Sequence, residues 1–249
     1  MSGIEIKTES ELGLMRQAGK VIAGLFRAIE SEVKPGITTA KLDELAERYI
    51  RKEGGIPAFK GYLGFPSTIC ASVNEEVVHG IPGPRVLKEG DLIGIDVGVS
   101  LEGFYSDAAR TYAVGRIDEA NKRLIDVTRE ALKRGIEQAI VGNRVGDISA
   151  AVQGFAESHG FSVVREYVGH GIGRNLHEEP QVPNHGTPKQ GPKLVEGMAL
   201  AIEPMINMGK PEVKVLSDGW TVVTKDGSRS GHFEQTLFVG KEKAEVVTE

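Results

Sequence analysis

The octapeptides Glu89-Gly90-Asp91-Leu92-Ile93-Gly94-Ile95-Asp96 and Glu196-Gly197-Met198-Ala199-Leu200-Ala201-Ile202-Glu203 decide the reading of the fold, and they lie 107 residues apart. Each opens on Glu-Gly, runs through an apolar strand and closes on an acid. What precedes them also repeats. Thr8 and Glu11 form a capping-box pattern, after which Leu14, Ala18, Ile22, Leu25 and Ile29 recur at helical spacing up to Lys34-Pro35-Gly36. A second helix is predicted from near Thr39, with Leu42, Leu45, Ala46, Tyr49 and Ile50 on one face, to a stop at Gly54-Gly55. Ahead of the second octapeptide, helical periodicity runs through Leu124, Val127, Leu132 and Ile136 to a break at Gly142, and a further helix spans about Asp147 to His159. Gly36 and Gly142 are 106 residues apart, as are Gly54 and Gly160, and a Val-Gly closes both units at Gly115 and Gly240. The repetition predicts an α+β chain, residues 1–249 forming a single domain of pseudo-twofold halves, about 8–117 and 118–240. Two helix pairs should flank a curved antiparallel sheet, leaving a concave side with a cleft where the halves join.

Composition bounds the function classes. The chain is 40% hydrophobic and 26% charged, ordinary values for a globular protein, and its net charge of -5 gives no electrostatic reason to expect nucleic acid. A single cysteine, Cys70, excludes an internal disulfide and any Cys-x-x-Cys metal site, which fits a reducing compartment. Glu5, Glu9 and Glu11 interrupt the N-terminus where a signal peptide needs an apolar run, and no stretch of about eighteen apolar residues occurs. The expectation is a cytoplasmic protein with no membrane partner.

Chemistry gathers on acids and one imidazole. In the first strand Ile93, Ile95, Val97 and Val99 alternate with Gly94, Asp96 and Gly98, so Asp96 stands alone on a nearly bare face. A turn around Leu101-Glu102-Gly103 should fold the chain back through Tyr105 and set Asp107 opposite Asp96 within about one residue. Opposed carboxylates repel, and the hairpin alone does not choose between a cation, a shared proton and a solvated pair. The second half adds Glu203 before Pro204, and His170 in Gly169-His170-Gly171-Ile172-Gly173, where glycines permit close approach. It also adds Glu234, expected on a strand after turns at Asp218-Gly219 and Asp226-Gly227. Two Asp, two Glu and one His offer hard donors without thiolate, a set suited to two divalent ions such as Mn²⁺, Fe²⁺, Co²⁺ or Zn²⁺.

The motifs Val78-His79-Gly80-Ile81-Pro82, Ile95-Asp96, Tyr105-Ser106-Asp107, Gly169-His170-Gly171, Leu176-His177-Glu178, Ile202-Glu203-Pro204-Met205 and His232-Phe233-Glu234, in this order, resemble the type I methionine aminopeptidases of bacterial form. The resemblance covers nearly the whole chain. It implies the pita-bread fold and a dinuclear centre held by Asp96, Asp107, His170, Glu203 and Glu234, with Asp107 and Glu234 bridging. It also implies a water nucleophile acidified by both cations, Glu203 as the proton acceptor, His177 at the carbonyl oxygen of the scissile bond and His79 at its nitrogen. Phe59, Tyr62, Phe65, Cys70 and Trp220, with Leu176, match positions that hold the methionine side chain in that family. Cys70 has no activating base in sequence and reads as packing rather than as a nucleophile. Gln235 stands where the family often has histidine, a difference that removes no ligand and leaves open whether hydrogen bonding around the metals changes. The implied substrate is the N-terminal methionine of nascent polypeptides at the ribosome, and the implied oligomeric state is monomeric. Two rivals remain in view: an Xaa-Pro peptidase of the same fold, and a binding protein that retains the shape without the activity.

Overall fold

Thr8 caps the first helix as the sequence predicts, its hydroxyl accepting from Glu11 N while the Glu11 carboxylate accepts from Thr8 N. The computed structural model describes residues 3–249. Helix α1 (Glu9–Glu30) is followed by α2 (Thr39–Lys52), and a second pair, α3 (Glu119–Glu137) and α4 (Val145–Ser158), precedes the later strands. Helix α1 ends four residues before the Lys34-Pro35-Gly36 stop, because Ser31 N already bonds back to Ile29 O and a turn occupies the intervening chain.

The strand Leu92–Leu101 is the spine of the first sheet. It pairs antiparallel with Ile69–Val73 and Ile56–Pro57 along one edge and with Phe104–Ala113 along the other. Alternation sends Ile93, Ile95, Val97 and Val99 against Ile22, Leu25, Phe26 and Ile29 of α1 and Leu42 and Ala46 of α2, all buried. The opposite face carries Gly94, Asp96 and Gly98, so the helices cover one side and the acid is left on the other.

The second sheet runs Glu245–Val246, Gln235–Phe238, Ala199–Ile202, Gly169–Gly171, Glu178–Val182. Leu200, Ile202 and Leu237 bury themselves with Leu124 and Ala131 of α3 and Ile148 and Val152 of α4. The observed architecture is therefore the α+β arrangement of two helix pairs outside antiparallel sheets. Two short three-stranded sheets, one built on Met205–Asn207 and one on Val222–Thr224, complete the rim. Among the described residues no helix is long and apolar enough to cross a membrane.

Because α1 is held to the sheet by apolar burial, its loss should be felt as stability rather than as chemistry. Ile22 is fully buried between helix and sheet. Ile22→Ala is expected to lower the free energy of unfolding by about 2–5 kcal/mol, read from the urea midpoint, with the metal-binding stoichiometry unchanged.

Candidate metal centre

The hairpin that carries the first two acids departs from the sequence expectation. Its turn contains only Glu102 and Gly103, at φ of 50° and 80°, as a two-residue hairpin turn of the primed type demands. Pairing is thereby shifted: Asp96 faces Ala109, and Asp107 faces Gly98. The two acids are diagonal neighbours on one face rather than opposed, since a shift of two residues preserves the face. The Phe59 ring fills the space beside Gly98, where a Cβ would lie 2.7 Å from it.

Glu234 lies in the break between the strands Ser230–His232 and Gln235–Phe238, not within a strand as expected. It is placed by main-chain bonds to the first sheet, Glu234 N donating to Ala109 O at 2.9 Å and Ala109 N to Glu234 O at 3.4 Å. Asp96, Ala109 and Glu234 thus form a row across both sheets. His170 sits in the strand Gly169–Gly171, and its glycine neighbours are required by packing. A Cβ on Gly169 would lie 2.4 Å from Ala201 O, and one on Gly171 2.2 Å from Glu179 O. Glu203 follows the strand Ala199–Ile202, its carbonyl accepting from Asn184 Nδ2 at 3.1 Å.

The ligand atoms of Asp107, His170 and Glu234 lie within 4.8 Å of one another, and Asp96 and Glu203 line the same cleft. His170 Nδ1 bonds Gly171 O at 2.9 Å, which makes Nδ1 the protonated nitrogen and leaves the Nε2 lone pair facing Glu203 Oε1 at 3.7 Å and Asp107 Oδ2 at 4.0 Å.

The electrostatics demand positive charge. Burial, followed by the charges of Asp107 and Glu203, holds Asp96 well above the usual carboxylate range. Burial and Asp107 do the same to Glu203, burial and all three neighbouring acids to Glu234, and burial pushes Asp107 up to about 7. Burial lowers His170 to about 3, so its imidazole is neutral and available as a ligand. Asp96 Oδ1, Asp107 Oδ1 and Glu234 Oε1 are buried with no hydrogen-bond donor. Orphaned carboxylate oxygens converging on a neutral imidazole fit divalent cations, which supply the missing charge and the missing partners together.

The cleft, about 820 Å³ with its mouth, is also lined by His79, His177, Phe59, Tyr62, Phe65, Cys70, Leu176 and Trp220, the catalytic and pocket residues that the resemblance implies. His79 adopts φ 59°, a left-handed conformation costly for a residue with a Cβ, and its loop is pinned by Gly80 N donating to Ser72 Oγ at 3.1 Å. His177 Nδ1 is 2.8 Å from the Tyr62 hydroxyl, and its ring centroid is 4.3 Å from that of His170. Burial drives the Cys70 thiol well above its ordinary range, which makes it wall rather than nucleophile. Sequence reading missed Leu63, Val78, Tyr167 and Val168, which share the lining; isolated apolar residues carried no signal to separate them from core. It also gave no role to His232, whose Nε2 lies 3.7 Å from Glu203 Oε2.

Gln235, whose effect the sequence left open, faces away from the acids. Strand alternation turns it away from Glu234, and its side-chain oxygen accepts from the Thr248 hydroxyl on the helix side of the sheet, near Arg110 and Tyr112. It makes no contact with the cleft, so the residue type at this position does not alter hydrogen bonding there.

These shifts set a pH dependence for the protein stripped of metal. Acids with raised proton affinity in the folded chain bind more protons folded than unfolded, so stability falls as pH rises through their range. The neutral buried histidines oppose this only below 6.5, where the unfolded chain protonates them. Chelated protein is therefore expected to lose thermal stability between about pH 6.5 and about pH 8, and added Mn²⁺ to abolish the loss, as measured by calorimetry.

Residues 13–241 match the metallopeptidase family M24. Methionine aminopeptidase 1 of Bacillus subtilis is 52% identical over 242 residues, covering 97% of this chain and 98% of that protein. The crystal structure of methionine aminopeptidase from Rickettsia prowazekii superposes with a TM-score of 0.97 at 45% identity, covering 99% of this chain and 100% of that one. The prolidase from Pyrococcus furiosus shares the fold alone, at 22% identity and a TM-score of 0.81, and this chain covers 65% of it. With sequence and fold matched from end to end, the chain belongs to metallopeptidase family M24, where it groups with the bacterial methionine aminopeptidases.

Proposed function

We propose that this protein is a methionine aminopeptidase, a metal-dependent exopeptidase that removes the N-terminal methionine from newly made polypeptides. The observation that carries the reading is the convergence of Asp107, His170 and Glu234 at the floor of an apolar-walled cleft. Asp96, Asp107, His170, Glu203 and Glu234 would hold two divalent ions, which acidify water and polarise a carbonyl oxygen when bound.

The remaining work falls to side chains. Glu203, whose proton affinity is raised by burial and by Asp107, accepts a proton from the attacking water and returns it to the departing amine. His177 is oriented by Tyr62: with the phenol donating to Nδ1, Nε2–H is the donor left for the carbonyl oxygen of the scissile bond. Burial depresses His79 to about 4, so it meets the scissile nitrogen as a neutral hydrogen-bonding group. Phe59, Phe65, Cys70 and Trp220 form the wall for the first side chain, with Phe65 and Trp220 edge-to-face at 5.1 Å. An unbranched thioether suits such a wall because its sulfur packs favourably on aromatic edges. Asp218 holds Trp220 there by accepting from Trp220 N and Thr221 N, both at 2.9 Å.

The same reading makes the chain one catalytic domain of two related halves, about residues 8–117 and 118–240, acting as a cytoplasmic monomer on chains leaving the ribosome.

Protein loaded with Mn²⁺ or Co²⁺ should release methionine from Met-Ala-Ser and leave Ala-Pro peptides intact. Chelation, Asp107→Ala or Glu234→Ala should abolish turnover with loss of bound metal. Glu203→Gln should reduce kcat about 10²–10⁴-fold. A preference for Ala-Pro would transfer the chain to the prolidase-like activity, and inertness toward all peptides would leave a binding protein.

A further inference from the structure

The strand Phe104–Ala113 and the segment carrying Glu234 meet at a reciprocal main-chain pair, Ala109 with Glu234, each donating to the other. In a continuous antiparallel ladder the flanking hydrogen-bonded pairs would be Asp107 with Thr236 and Thr111 with His232. Main-chain partners are missing at both places, and threonine hydroxyls stand in for them. Asp107 N donates to Thr236 Oγ1 at 2.9 Å, and the same hydroxyl donates to Asp107 O at 2.8 Å. At the other end His232 N donates to Thr111 Oγ1 at 2.9 Å, and that hydroxyl donates to His232 O at 2.8 Å. All four residues are buried.

The strands diverge from the central pair, and at one end the reason is visible. Thr236 N donates to Thr248 Oγ1 at 3.1 Å and Thr236 O accepts from Val247 N at 3.0 Å, so the C-terminal segment occupies the main-chain groups of Thr236. Only the side chain is left to reach Asp107. One hydroxyl, acting as acceptor and donor at once, therefore satisfies both polar groups of the Asp107 main chain.

We propose that Thr236 is a positioning residue of the metal centre, its hydroxyl setting the separation of Asp107 and Glu234 across the sheet junction and through it the affinity for divalent ions. Thr111 is its counterpart, holding the main chain of His232, whose imidazole abuts Glu203. The proposal rests on the ligand roles assigned to Asp107 and Glu234 under the proposed function. A carboxylate whose strand lacked this tie to the opposite sheet would keep its chemistry and lose its place relative to Glu234, and partners of metal ligands commonly change affinity about 10–100-fold when removed.

The test compares Thr236→Val, which keeps the shape and removes the hydroxyl, with Thr236→Ser, which restores it. Ser149→Ala serves as control, because Ser149 is a buried hydroxyl that donates to Val145 O within α4. Mn²⁺ affinity is read by calorimetric titration and folding by thermal midpoint. Thr236→Val is expected to weaken Mn²⁺ binding about 10–100-fold, Thr236→Ser to bind as the unaltered chain does, and Ser149→Ala to lower the midpoint without changing affinity. Unchanged affinity in folded Thr236→Val, or Thr236→Ser as weak as Thr236→Val, overturns the proposal. Should Thr236→Val not fold, hydrogen exchange on the unaltered Mn²⁺-loaded protein decides: the Asp107 amide is expected to be as protected as that of Glu234, and exchange at loop rates overturns the tether. An unaltered chain that takes up no Mn²⁺ removes the ligand assignment itself, and the proposal with it.

Discussion

Four carboxylates gathered in one cleft, Asp107 and Glu234 buried and Asp96 and Glu203 half-buried, are the constraint from which the rest of this structure follows. Burial raises the proton affinity of all four, and the charge of Asp107 adds to it at Asp96, Glu203 and Glu234. Among the described residues no lysine or arginine lines the cleft to offset them. Without cations the folded chain would have to hold protons on acids that water would strip from them, so the fold and its metals are thermodynamically linked. The neutral histidines belong to the same arrangement. A protonated imidazole would supply charge, but at the cost of the lone pair that makes His170 a ligand.

Such a site needs a rigid frame, and the frame comes from the sheets rather than from loops. Asp96 and Asp107 are fixed on adjacent strands whose far faces are covered by α1 and α2. His170 is pressed between Ala201 and Glu179 main chain by glycines that leave no room for a Cβ. Glu203 and Glu234 instead lie in breaks between strands, and Glu234 is held to Ala109. Glu234 is thus tied directly to the opposite sheet, with threonine hydroxyls on either side.

How legible this was in the sequence differs from residue to residue. The helices could be read because burial on one face imposes a period of about 3.6 and because caps such as Thr8–Glu11 are local. Asp96 could be read because glycines on its own strand left it alone on a bare face. The pairing of Asp107 could not, since it depended on whether the turn held two residues or three, and a single-residue difference moves the whole register. His79, His177 and the pocket residues were legible only through likeness to a family, because each alone is indistinguishable from an ordinary core or surface residue. The placing of Gln235 was left open by the sequence and decided by the strand, where neighbours point to opposite faces.

What the amino-acid order determined by itself was the set of elements, their repetition and the inventory of acids, because these are properties of neighbours within one or two helical turns or a few strand residues. Only the tertiary structure decided which oxygens meet, which are left without donors, and that Thr236 rather than a main-chain partner holds Asp107. Those outcomes depend on contacts between residues more than a hundred positions apart, where spacing along the chain carries no distance in space.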